Sequence, residues 1–233
     1  MSIVLYDLVG RDDRRFSPTC WRVKLALAHK GLAWTTVPTR FLDIPAIGDG
    51  TFKTVPTLLD GATWVTDSDA IADHLEARYP DRPSLFGGAG GRALAEFVRQ
   101  WTQVSLHAAI VRMVVLDIHD HLADAGDQAY FRRSREVLLG AALEEVVAGR
   151  EARVPAFRAA LEPLRQLVKG RPFLGGAAPL YPDYVVTGAF QWARSVSPFA
   201  ATLLAADDPV RAYLERMLDL HDGLGRKAVA YPL

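Results

Sequence analysis

The chain has 233 residues, half of them apolar, with 27 basic and 27 acidic residues and a formal net charge of zero. That length buries one large core or two small ones, and balanced charge without a basic block or a charge run excludes a nucleic-acid footprint and a disordered tail. One cysteine excludes an internal disulfide framework, apolar stretches stop short of the ~20 residues of a membrane span, and Met1-Ser2-Ile3-Val4 lacks the basic segment of a signal peptide, so a cytoplasmic location is expected.

Ile3-Val4-Leu5-Tyr6-Asp7-Leu8 reads as a first strand. After a charged loop, Phe16-Ser17-Pro18-Thr19-Cys20-Trp21-Arg22 opens a helix, because Ser is favoured as N-cap and Pro at the first helical position. Val23, Ala26, Leu27 and Lys30 follow at helical spacing until Gly31. The Ser17 hydroxyl then lies beside unpaired N–H groups at the positive end of the helix dipole, where an anion or an ionising thiol is stabilised. The plainer alternative is that Ser17 only caps its helix. Trp34–Pro38 reads as a second strand, and residues 39–53, with Pro45, Gly48 and Gly50, as a surface loop. Asp60-Gly61 between Thr54–Leu59 and Thr63–Val65 signals a hairpin. Asp67-Ser68 caps a helix carrying Ile71, Ala72, Leu75 and Tyr79, which Pro80 stops. A βαβ unit followed by a ββα unit is the thioredoxin-like arrangement.

Pro80-Asp81-Arg82-Pro83 and Gly87-Gly88-Ala89-Gly90-Gly91 mark a linker. The expected division is therefore an α/β thioredoxin-like domain over 1–82, a linker over 83–91 and an all-α domain over 92–233. Helices are expected over 92–122, 127–148, 154–169 with Pro163 bending or splitting it, 183–195, and from Pro209 to His221.

Three pieces of the first domain converge in such a fold. Ser17 offers a thiol-activating hydroxyl. Val55-Pro56, with a proline at a strand head and a candidate cis bond, presents the Val55 backbone N–H and C=O to an extended peptide. Asp67-Ser68 offers a carboxylate for an ammonium, and a hydroxyl with helix-start N–H groups for a carboxylate.

In these three motifs, their order and the helical second domain, the chain resembles the cytosolic glutathione transferases over essentially its whole length. Within that family it is most similar to the bacterial β-etherases that cleave lignin-type aryl ethers, and to their fungal relatives. The segments that carry this are Trp21-Arg22, His29-Lys30-Gly31, Tyr79-Pro80-Asp81-Arg82-Pro83, Leu116-Asp117, His119-Asp120, Ser134-Arg135-Glu136, Gly149-Arg150-Glu151 and Asp222-Gly223-Leu224-Gly225-Arg226. The resemblance implies glutathione as cosubstrate, a small apolar or aromatic electrophile as second substrate, and a homodimer. It assigns Ser17 to the glutathione sulfur, Val55 with a cis Pro56 to the cysteinyl backbone, and Asp67 and Ser68 to the γ-glutamyl head. Asp183 matches a buried aspartate whose role is folding, but Leu180 stands where a capping Ser, Thr or Asn is usual, so the reciprocal capping box is not expected. An isomerase or dehalogenase using glutathione, and a non-catalytic glutathione and apolar-ligand binding protein, are the alternatives.

Several side chains have two readings. Lys53 and Arg40 suit the glycine carboxylate of glutathione, or are solvated charges. Phe16, Trp101 and Trp192 suit an apolar substrate pocket, although tryptophans on helical faces also belong to cores. Cys20 lies three residues after Ser17, but with serine at the attacking position disulfide exchange lacks its nucleophile, and a packed first-turn residue is expected. His107, His119 and His121 lack partners at metal-ligand spacing, so no metal is expected and they read as surface or cap histidines.

Overall fold

The alternating first strand becomes β1 (Ile3–Leu8), with Ile3 and Leu5 turned into the core, in a computed structural model that describes residues 2–233. It pairs in parallel with β2 (Trp34–Thr39), Ile3 opposite Trp34, and antiparallel with β3 (Thr57–Asp60), Ile3 opposite Asp60. β3 turns through Gly61-Ala62 into β4 (Thr63–Thr66), giving the sheet order β2-β1-β3-β4. Gly61 adopts φ +64°, the left-handed conformation that glycine supplies without a Cβ clash. Helices α1 (Pro18–His29) and α2 (Ser68–Arg78) pack against each other beside this sheet. Residues 39–53 are more ordered than a plain loop: Phe41–Ala46 form a 3-10 helix, and Ile44 and Ile47 are buried.

The segment after Pro80 is not a free tether. Leu85 and Phe86 are buried, and helix α3 (Ala89–Trp101) already begins at Ala89. A Cβ at Gly91 would sit 1.7 Å from the Phe86 carbonyl oxygen, so only glycine lets the helix start fold back on this turn. α3 runs through a π-helical turn (Thr102–His107) into α4 (Ala108–Asp120), a continuous helix of 32 residues. By length and composition this helix meets the bare requirement for crossing a membrane, contrary to the sequence expectation. Here it is the central helix of the helical unit, with Leu106, Ile110, Met113, Val114 and Val115 fully buried. Each such side chain contributes about 1.5–3 kcal/mol of burial.

The single helix expected over 127–148 is two: α5 (Ala125–Leu139) stops at Gly140 in the left-handed conformation, and α6 (Leu143–Val147) follows. Left-handed glycine after the last turn closes a helix by satisfying its carbonyls. The stretch around Pro163 is likewise split, into α7 (Val154–Ala160) and α8 (Glu162–Lys169). α9 (Tyr181–Val196) is almost wholly buried, and α10 (Pro209–Gly223) breaks its helical backbone at Leu220–Asp222.

α9 joins the two halves. It packs along α1, and a Cβ at Gly188 would stand 2.4 Å from the Pro18 carbonyl oxygen. Glycine at this one position lets α9 touch the first turn of α1. The start of α9 holds without a reciprocal capping box, because Leu180 has no acceptor in its side chain. The Asp183 carboxylate instead accepts backbone N–H groups from Leu174 (2.7 Å), Gly175 (3.1 Å) and Leu180 (2.9 Å), and the Tyr213 hydroxyl (3.1 Å).

Candidate active site

Ser17 caps α1 as its sequence dictates. Its Oγ accepts the Cys20 N–H at 3.2 Å and lies 3.0 Å from the Thr19 hydroxyl. Trp21 N–H donates to the Ser17 carbonyl and Pro18 has no N–H, so Thr19 keeps the unspent donor of the first turn among the described residues. A hydroxyl that already accepts one hydrogen bond still has its own proton to give, and Ser17, 5% exposed, has the Thr19 hydroxyl and the cavity it lines as the places for it.

That site is the mouth of a cavity of about 650 Å³ between the two halves of the chain. Phe16, Ser17 and Pro18 line it from α1, and Thr54 and Val55 from the turn before β3. Gln103, His107, Ala108 and Val111 line it from the long helix, Tyr130, Phe131, Arg135 and Leu138 from α5, and Trp192 from α9. Phe41 closes it from the 3-10 helix, stacking 6.3 Å from Phe16, 5.9 Å from Tyr130 and 5.6 Å from Phe131 between ring centroids. The walls are thus an aromatic box with a serine hydroxyl at one end.

The Val55–Pro56 bond is cis. The Val55 N–H and C=O have no protein partner among the described residues, and Val55 is one of the residues lining this cavity. Unpaired backbone groups beside a cavity are the fitting half of a β-type pairing with an extended peptide. Asp67 caps α2, its Oδ1 accepting the N–H groups of Asp69 (2.9 Å) and Ala70 (3.1 Å), and leaves its second oxygen to solvent. It does so at φ +76°, a conformation that non-glycine residues rarely adopt and that recurs at functional positions. Ser68 is buried, and its carbonyl accepts the Tyr181 hydroxyl from α9 at 2.8 Å. Asp69 also takes that hydroxyl (3.2 Å) and an ion pair from Arg99 (2.7 Å). The start of α2 is therefore bolted to the helical half.

The sequence-predicted residues are not all brought together. Phe16, Ser17, Lys53, Val55 and Trp192 line the cavity, whereas Pro56, Asp67 and Ser68 lie outside its lining. Trp101 is a correction. It precedes the π-helical turn and packs half-buried against the core, outside the cavity lining. A π turn carries one more residue than an α turn and re-phases the helix after it. Gln103, His107, Ala108 and Val111 take the wall. Of the two candidate cations, Arg40 is committed to Asp43, with Nε 2.7 Å from Oδ2, and to Asp124. Lys53 stands on the cavity rim.

One of the histidine readings also needs correction. His107 is neither surface nor cap: it is 9% exposed and lines the cavity. Burial and the nearby Arg22 charge push its imidazole down to about 3, so it is neutral at ordinary pH. His119, in the last turn of α4, pairs with the adjacent Asp120 carboxylate (2.9 Å). His121 follows the last turn of α4, with Nδ1 2.8 Å from the Asp117 carbonyl. Among the described residues no group of three His, Cys, Asp or Glu side chains is placed to hold a metal ion. Cys20 is fully buried, and burial, then the Asp7 charge, push its thiol far above the ordinary range. Sequence reasoning missed Phe41, Tyr130, Phe131 and Arg135. Arg135 is the unusual one: its guanidinium lies 4.9 Å over the Phe131 ring, bonds only the Ser134 hydroxyl, and has no carboxylate partner among the described residues.

Residues 93–220 match the family model of the glutathione S-transferase C-terminal domain, more than half of the chain, and residues 13–83 match that of the N-terminal domain. The chain belongs to the glutathione S-transferase family. The second match contains Ser17, Lys53, Val55, Pro56, Asp67 and Ser68. Family membership makes glutathione the cosubstrate to which the site is compared. A glutathione S-transferase-like protein of Aspergillus flavus, ustS, is 25% identical over 219 residues, which span 82% of this chain and 78% of that protein. The glutathione transferase GSTFuA3 of Phanerochaete chrysosporium superposes with a TM-score of 0.76 at 29% identity, covering 98% of this chain and 95% of the other. A glutathione S-transferase of Ceriporiopsis subvermispora, solved with glutathione, superposes with a TM-score of 0.83 at 21% identity over 95% and 98% of the two chains. That last likeness is one of fold.

Proposed function

We propose that this family member is a glutathione transferase acting on an aromatic electrophile, and that a β-aryl ether next to a ketone is its substrate class. The observation that supports it most directly is the Ser17 hydroxyl, at the N-terminus of α1, opening into an aromatic cavity of about 650 Å³. Glutathione supplies the thiolate: a carbon–sulfur bond forms at the carbon beside the ketone, the carbon–oxygen bond breaks, and the phenoxide leaves to take a proton from water. The Ser17 hydroxyl donates a hydrogen bond to the thiolate sulfur and keeps its proton, and the Thr19 N–H with the α1 dipole favours the anion. Val55 pairs its backbone with the cysteinyl residue. Lys53 meets the glycine carboxylate, and Asp67 and Ser68 hold the γ-glutamyl head. Holding the thiolate against the electrophile turns a bimolecular step into an effectively unimolecular one.

Phe16, Phe41, Tyr130, Phe131 and Trp192 suit two aromatic rings, and the unpaired Arg135 suits the negative charge that gathers on a departing phenoxide. Chromatography of a β-aryl-ether ketone incubated with glutathione should show phenol release faster than conjugation of a chloronitroaromatic. No phenol above the uncatalysed rate, with clear turnover of the chloronitroaromatic, removes the etherase reading and leaves the transferase one. The protein acts as a homodimer in the reducing cytoplasm on this reading, and Leu94, Phe97 and Val104 supply an apolar face, Phe97 and Val104 each 69% exposed. Phe97→Lys should then shift the sedimentation coefficient towards that of a monomer.

A further inference from the structure

The cavity wall carries charge of one sign. Among the described residues no aspartate or glutamate lines it, while Lys53 and Arg135 do. Arg135 belongs to the stripe of α5 that makes the wall: Phe131, Arg135 and Leu138 follow at spacings of four and three, which put them on one helix face. Its guanidinium lies 4.9 Å from the centroid of the Phe131 ring and 5.9 Å from that of Phe41, two rings of the same wall. Nη1 donates to the Ser134 hydroxyl at 3.1 Å. Nε and Nη2 make no hydrogen bond among the described residues, and neither is sealed away as the Nε atoms of Arg14 and Arg22 are. The adjacent carboxylate, Glu136, is taken by Arg132 (3.0 Å) and the Leu143 N–H (3.3 Å). Burial pushes the Arg135 pKa below the ordinary arginine value, with no carboxylate acting to restore it. A half-buried cation without a counter-charge is a cost that an anion entering the cavity relieves.

We propose that Arg135 is a specificity-determining residue for the second substrate: its free Nε and Nη2 donate to a carboxylate carried by the aromatic electrophile. The inference rests on the transferase reading for calling this cavity the second-substrate site, and it narrows that substrate to aromatic carboxylates. Adjacent guanidinium N–H groups form a planar fork that matches the two oxygens of a carboxylate. On the same reading Lys53 is occupied by the glycine carboxylate of glutathione, so Arg135 is the cation left to the electrophile. The ring that bears the carboxylate then lies against Phe131 and Phe41. Such a charge differs from that of a departing phenoxide in its timing. It is present before the reaction and strengthens binding, whereas a phenoxide forms only as the bond breaks and acts on the rate.

Unreactive ligands test this without turnover. The probes are biphenyl-4-carboxylate and the neutral, nearly isosteric biphenyl-4-carboxamide, titrated by calorimetry at pH 7.5 against the full chain with glutathione saturating for each variant. The wild type should bind the carboxylate about tenfold more tightly than the amide, the equivalent of one charge-assisted hydrogen bond. Arg135→Met keeps the stem against Phe131 and should abolish the preference while binding the amide within about twofold of the wild type. Arg135→Gln, neutral but still able to bond Ser134, should do the same and decides alone if the methionine variant does not fold. Lys53→Met should leave the preference whole. No preference in the wild type, or a preference that survives loss of Arg135 or vanishes with Lys53, overturns the proposal. Conjugation of a neutral chloronitroaromatic by the wild type reads the transferase activity separately, so turnover without a carboxylate preference sinks this inference alone.

Discussion

Replacing Ser17 by alanine separates the chemistry of the site from its architecture. The hydroxyl does two things: it caps α1 through the 3.2 Å bond from Cys20 N–H, and it carries the proton offered to the cavity. Loss of a serine N-cap costs about 1 kcal/mol of stability, which lowers Tm by roughly 2–4 °C in a chain of this size. Loss of a hydrogen bond to a charged sulfur costs about 1.5–3 kcal/mol. That raises the pKa of the bound thiol by about one to two units and slows the reaction roughly ten- to a hundredfold below that pKa. The loss stops there because the helix dipole and the Thr19 N–H remain. The Thr19 hydroxyl, 3.0 Å away, is a partial substitute, so the Ser17→Ala, Thr19→Val double variant should fall further than either single one. The assay is the pH–rate profile of chloronitroaromatic conjugation at saturating glutathione. A profile whose midpoint stays where the wild type has it, with a normal Tm, would refute the role of Ser17 at the sulfur.

Asp67→Ala should weaken glutathione binding while leaving the maximal rate nearly intact, because the head is remote from the sulfur. Asp67→Gly relieves the φ of +76° and should restore stability without restoring affinity, so equal calorimetric affinity in wild type and Asp67→Gly places the clamp elsewhere. Cys20→Ser should retain conjugation, and mass spectrometry after iodoacetamide treatment of the native wild type at pH 8 should find no alkylated Cys20, since the thiolate is disfavoured and buried; rapid labelling would contradict this. His107 is held neutral in the fold, with its pKa depressed from 6.5 to about 3, so its contribution is whole above pH 6.5 and is lost as pH falls from 6.5 towards 3. At pH 4.5 the loss is on the order of 2–3 kcal/mol, and His107→Phe should lose correspondingly less stability than the wild type between pH 7 and 4.5; parallel acid profiles would show that the imidazole is not held neutral.

The elements legible in the sequence were those set within a few residues. Ser17-Pro18 opens α1 because an acceptor side chain and a fixed φ decide a helix start locally. Asp60-Gly61 announces the hairpin because the turn needs a residue at positive φ, and Asp67 caps α2 through its own neighbours' N–H groups. Where a break depended on weaker local chemistry, the reading merged what the fold divides, as at Gly140 between α5 and α6.

Asp183 shows the limit from the other side. The residue three before it forbids a capping box, yet its carboxylate gathers Leu174, Gly175, Leu180 and Tyr213 from two separate stretches of chain. Only the packing of α10 against α9 brings the tyrosine there.

By itself the sequence determined the thioredoxin-like half, the helical half, and the Ser17 cap and Val55-Pro56 pair that line the cavity or border it, because each is written in contiguous residues. The tertiary structure alone decided the cavity wall. Which residues of a long helix face a cavity depends on its phase, and here Gln103 and His107 line the cavity while Trp101 does not. Tyr130, Phe131 and Arg135 join them only because α5 crosses the 3-10 helix carrying Phe41, a contact between residues some ninety positions apart that no local pattern records.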